Sequence, residues 1–65
     1  MEKEVPIADK ALLTIDEAAA YFNIGLHKLR ELTDGENNPY CVWNGRKRLI
    51  KREALLAFIL AQKNI

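Results

Sequence analysis

The sequence predicts a small α+β domain: three helices, with a two-stranded antiparallel wing between helices 2 and 3. Three observations predict it. Thr14 and Glu17 have capping-box spacing just ahead of an alanine-rich helical pattern. Asn44-Gly45 lies between two runs of strand-favouring residues. An unbroken apolar run, Ala54 to Ala61, closes the chain. The chain has 65 residues, 49% of them hydrophobic, with 3 Gly and 2 Pro and no biased tract, which is the composition of a folded chain. A domain this size buries only about 60% of the surface its unfolded chain exposes, so the core must be thin.

Residues 1–11 show no period. Pro6 and the scattered charges around it suggest an extended or frayed arm, from which Val5 and Ile7 can still pack, and residues 12–65 form the domain. Leu12-Leu13-Thr14-Ile15 reads as a very short extended piece. The first helix then runs from about Ile15 to Phe22, with Ala18, Ala19 and Phe22 on its inner face. Asn23-Ile24-Gly25 ends it, and Gly25 is expected to supply the backbone freedom of the turn. The second helix follows from about Leu26 to Thr33 or Asp34. Leu26, Leu29 and Leu32 define its buried stripe, His27, Arg30, Glu31 and Asp34 face away, and Lys28 lies on the flank. Two short helices joined by a three-residue turn, the second with a polar outer face, are the arrangement that lays a helix in the major groove of DNA; any amphipathic helical hairpin shares the pattern.

After a polar loop, Tyr40-Cys41-Val42-Trp43 and Arg46-Lys47-Arg48-Leu49-Ile50 form the two strands of the wing. With Asn44-Gly45 as a type I′ turn, Trp43 faces Arg46, Val42 faces Lys47, Cys41 faces Arg48 and Tyr40 faces Leu49. The basic residues then lie at the tip, where nothing in the domain obviously neutralises them. Trp43 is expected to anchor the hairpin to the core rather than to stack on a base, and Cys41 to be a small buried hydrophobe. The third helix spans about Lys51 to Gln62 and buries Leu55, Phe58 and Ile59. Leu56 and Leu60 lie outside that cluster. Either the arm covers them, as economy in a small core favours, or they contact another protein.

The net charge of +1 conceals an uneven distribution. Residues 1–27 sum to −3 and residues 28–52 to +4, the latter through Lys28, Arg30, Arg46, Lys47, Arg48, Lys51 and Arg52. A polyanion would prefer that half, although cations also solvate exposed strand edges. Lys51 and Arg52 oppose the dipole of the helix they begin, a mild cost that argues for a use elsewhere. The candidate DNA contacts are therefore His27, Lys28, Arg30 and Glu31 on the second helix, and Arg46, Lys47, Arg48, Lys51 and Arg52 on and beside the wing. Lys28 and Arg30 can donate to phosphates or guanine, and Glu31 can accept from cytosine. His27 is either such a contact or neutral surface filler.

Chemistry finds little material. The chain has no serine; Asp16 and Glu17 already serve the first helical turn; and Cys41 has no evident base partner. Cys41 cannot form an internal disulfide, and with one histidine it cannot complete a zinc site. An enzyme, a cofactor and a small-molecule substrate are not expected. No apolar stretch is long enough to span a membrane and the N-terminus is charged, so a cytoplasmic location is expected.

The segment Leu13-Thr14-Ile15-Asp16-Glu17-Ala18 through Tyr21-Phe22-Asn23-Ile24-Gly25, followed by Lys28-Leu29-Arg30, Asn44-Gly45 and Ile50-Lys51-Arg52, resembles the excisionases of conjugative transposons, within the MerR-like winged-helix group. The resemblance covers roughly residues 12–60. It implies a winged helix-turn-helix whose second helix enters the major groove through Lys28 and Arg30, while Asn44, Gly45 and Arg46 form a wing tip at the neighbouring minor groove. It also implies double-stranded DNA and a tyrosine-family integrase as partners. Several copies would bind and bend the DNA, directing excision of a mobile element without cutting anything. A small MerR-like or phage-type transcriptional regulator would use the same parts, and a full MerR regulator would be expected to carry a dimerisation helix and an effector domain after the winged helix. A protein-interaction adaptor would instead use Leu56 and Leu60.

Overall fold

A computed structural model describes residues 5–35 and 37–65. In chain order it contains a 3-10 turn (Ile7–Asp9), β1 (Leu12–Leu13), α1 (Ile15–Phe22), α2 (Leu26–Leu32), β2 (Cys41–Asn44), β3 (Lys47–Lys51) and α3 (Arg52–Leu60). The strands form one antiparallel sheet in the order β1-β3-β2. The expected three helices and wing are present. The short extended piece at Leu12–Leu13 does more than expected, because it pairs with Ile50 and Lys51 as a third strand.

The α1 helix has the expected bounds and the expected cap. The Glu17 amide donates to Thr14 Oγ1 at 3.1 Å, and the Thr14 amide donates back to Glu17 Oε1 at 3.0 Å. Lys10 Nζ donates to the other carboxylate oxygen at 2.6 Å. The Lys10 contact above all, helped by the Thr14 amide, holds the Glu17 carboxyl below the ordinary carboxylate range. At the other end the turn differs from expectation. Asn23, not Gly25, takes the left-handed conformation, with φ 58°, while Gly25 is extended at φ −62° and begins α2. Asparagine tolerates that region better than other non-glycine side chains, so the left-handed residue falls directly after the helix, two positions before Gly25.

The wing folds in a different register from the expected one. Cys41 faces Ile50, Val42 faces Leu49, Trp43 faces Arg48 and Asn44 faces Lys47. The turn residues are therefore Gly45 and Arg46; only Gly45 has positive φ, at 65°, which is the type II′ sign pattern. Burial explains the choice. The expected register would set Arg48 against Cys41, whereas the observed one pairs Cys41 with Ile50 and places both in the core. The shift is two residues, so each side chain keeps its face of the sheet; a shift of one would have reversed them all.

Leu13, Ala18, Leu29, Cys41, Ile50 and Leu55 form the core, with Ile7, Phe22, Tyr40, Phe58 and Ile59 packed against it. Leu29 alone of the expected α2 stripe is fully buried; Leu26, at the helix start, is 41% exposed. Tyr40 rather than Trp43 anchors the wing, its ring 4.9 Å from that of Phe58, and Trp43 stands out on the wing at 44% exposure. Helix α3 starts after Lys51, which is still paired in the sheet, and its first amide, on Arg52, donates to Ala11 O. It ends at Leu60 in a tightened turn, where Ala61 and Gln62 bond back to Phe58 and Ile59. The arm turns inward at Ile7, and Leu60 remains 75% exposed. Among the described residues no helix is long and apolar enough to cross a membrane.

Candidate nucleic-acid interface

Helix α2 turns Leu29 inward and leaves His27, Arg30 and Glu31 exposed. Lys28 is half-buried and pairs with Glu31 at 3.3 Å, one turn ahead. His27, Arg30, Glu31 and Asp34, with Arg48 from β3, line an open groove between the helix and the wing. Four of those five were candidate contacts. Asp34, from sequence only an outward charge, joins Glu31 as an acid lining the groove.

The wing cations separate by strand alternation. Arg48 lies on the same face of β3 as the buried Ile50, while Lys47 and Lys51 point to the opposite face and are exposed. Arg46 and Gly45 form the exposed tip, and Asn44 closes the hairpin opposite Lys47. Among the described residues, Arg46, Lys47 and Lys51 form no ion pair.

Arg48 and Arg52 are not free cations. Arg48 Nη1 donates to the carbonyl of Arg30 at 3.3 Å and to Thr33 Oγ1 at 3.2 Å; Nη2 lies 3.7 Å from Asp34; and the guanidinium sits 5.1 Å from the centre of the Trp43 ring. The expectation that nothing in the domain neutralises the tip cations therefore fails for Arg48, whose side chain is only 19% exposed. Arg52 turns back to the arm, with Nε donating to Lys10 O at 2.6 Å and Nη1 to the Tyr21 hydroxyl at 3.4 Å. These contacts inside the fold offset its cost against the helix dipole.

The end of α2 is closed largely by residues from beyond the helix. A helix leaves its last four carbonyls without helical partners. Here Leu29 O accepts from the Thr33 amide and hydroxyl, Arg30 O from Arg48, and Leu32 O from Asn38 Nδ2 at 2.9 Å. One residue further, Thr33 O accepts from Cys41 Sγ at 3.3 Å, so the buried cysteine is also a donor. Asn38 Oδ1 in turn accepts from the Tyr40 amide, which starts the wing. The Asn38-Pro39 dipeptide is a turn signal that could have drawn attention to Asn38.

Residues 12–63 match the helix-turn-helix domain family. The chain is also similar to the excisionase from transposon Tn916 of Streptococcus agalactiae, with 40% identity over 53 residues, covering 80% of this chain and 79% of that protein. No solved structure gives a significant match.

Proposed function

The chain belongs to the helix-turn-helix domain family and to the transposon excisionases, and from that premise we propose that it is an architectural factor for a mobile element. It binds and bends double-stranded DNA at the element's ends, several copies together, and directs a tyrosine-family integrase toward excision. It cuts nothing itself. Arg30, with His27, Lys28 and Glu31 around it, reads base edges in the major groove. Arg46, with Asn44 and Gly45 at the tip, enters the adjacent minor groove, and Lys47 and Lys51 hold phosphates.

The observation that carries this reading is the exposed polar face of α2 in the same small domain as a wing whose Arg46, Lys47 and Lys51 form no ion pair among the described residues. Replacing Lys47 and Lys51 together by alanine should lower the salt slope of DNA binding by about two units, since each phosphate contact contributes roughly 0.9. An unchanged slope would remove the wing from the interface. Arg30→Ala should cost about 1–3 kcal/mol of discrimination at one base pair; equal weakening on all sequences would make Arg30 a phosphate contact instead. Footprints at both ends of a mobile element support the excision role, and a footprint on a promoter alone would replace it with transcriptional control.

A further inference from the structure

Seven residues make barely two helical turns, too few to persist without tertiary support. Helix α2 lacks a side-chain cap at its start. Its far end is held by the wing, and Arg48 makes the longest reach of those contacts, linking β3 to the Arg30 carbonyl, Thr33 Oγ1 and Asp34 across the groove. On the wing side its guanidinium lies over the Trp43 ring, 5.1 Å from the ring centre, within cation–π range. The cation also faces the partial negative charge at the helix C-terminus and the Asp34 carboxylate, which favours it where it lies. With one Nη1 on two acceptors and Nη2 toward a third, the fork is occupied by the protein and turned away from the wing tip.

We propose that Arg48 is a positioning residue that fixes the angle between the wing and α2, making base reading by the helix and phosphate contact by the wing a single coupled event. The inference rests on the DNA-binding reading above. It requires the planar fork, not merely a positive charge, because an ammonium cannot meet the carbonyl, the hydroxyl and the carboxylate in that geometry while lying over an indole.

The test uses the full chain and a duplex enriched by the wild-type protein from a random pool. Arg48→Lys and Arg48→Met should both weaken binding, on the order of tenfold, with the salt slope retained, because no phosphate contact is lost. In the wild type, the fold-losses of Arg46→Ala and Arg30→Ala should depend on one another; in the Arg48→Lys background they should simply multiply. Thr33→Val removes one of the acceptors, and with it the hydroxyl's own bond to Leu29 O, while leaving the Arg48 charge in place, and it should weaken binding severalfold, again with the slope kept. If the Arg48 variants do not fold, this variant decides the matter. Wild-type binding by Arg48→Lys or by folded Thr33→Val would overturn the proposal, as would a slope reduced by about one unit in Arg48→Met. If the wild-type protein enriches no duplex, the DNA-binding reading itself falls; if it does and Arg48→Lys matches it, only the positioning role falls.

Discussion

The two helices of the helix-turn-helix motif are nearly equal in length and differ in what holds them. Helix α1 closes its own ends, with the Thr14–Glu17 capping box at the start and left-handed Asn23 at the finish. Helix α2 begins on an extended glycine without a side-chain cap and finishes on groups from Asn38, Cys41 and Arg48. The first is a locally coded scaffold. The second takes its position from the sheet, so whatever displaces the wing also displaces the exposed polar face of α2.

The sharpest way to break this contrast is at Leu29, the fully buried side chain of α2. Leu29→Ala should cost about 2–5 kcal/mol in chemical denaturation, a large share of the stability of a domain this small. A cost below about 1 kcal/mol would mean that the wing contacts, not the core, hold α2. Asn38→Ala comes next, at roughly 1–3 kcal/mol, because it leaves the carbonyls of Leu32 and Asp34 and the Tyr40 amide without their side-chain partner. It should also weaken DNA binding by the folded molecules. Thr14→Ala removes the cap of α1, should cost about 1 kcal/mol, and should leave the affinity of folded protein unchanged. If Thr14→Ala and Asn38→Ala affect affinity equally, the distinction between the helices is lost.

The smallest effect is one of pH and concerns α1 alone. The folded protein lowers the Glu17 pKa, so the carboxylate form is favoured by folding. Its contribution is fully present above the unfolded carboxyl range and is lost as pH falls through the lower folded value. Stability of the wild type relative to Glu17→Gln should therefore shrink on acidification. A difference that stays flat with pH would show that Lys10 and Thr14 do not favour the charged form.

This contrast also explains what could be read in the sequence. The bounds of α1 were legible because helical period, cap spacing and the stop all lie within ten residues of one another. The hairpin was legible in existence but not in register. Asn44-Gly45 suits a turn with both residues inside it, yet the chain places only Gly45 there, because the pairing of Cys41 with Ile50 in the core outweighs turn preference. Arg48 was read as one of three equivalent tip cations. Alternation from Ile50 already places it on the core side of the strand, and only the position of α2 shows what it meets there. Trp43 was expected to be the anchor, but an indole lying beyond the thin core is better placed beneath a guanidinium. Arg52 likewise finds Lys10 and Tyr21, which lie 42 and 31 residues away in the chain.

Arg48 grips position 30 by its carbonyl, an atom every residue has, while the Arg30 side chain is left exposed. Frame and exposed surface are thus separable at the same residue. His27, Arg30 and Glu31 could be exchanged for other side chains without removing a hydrogen bond that holds α2 in place, which makes this face a natural cassette for retargeting. A library varied at these three positions, with Thr33, Asn38, Cys41 and Arg48 kept, should yield folded proteins with new target sequences more often than one varied across the whole helix.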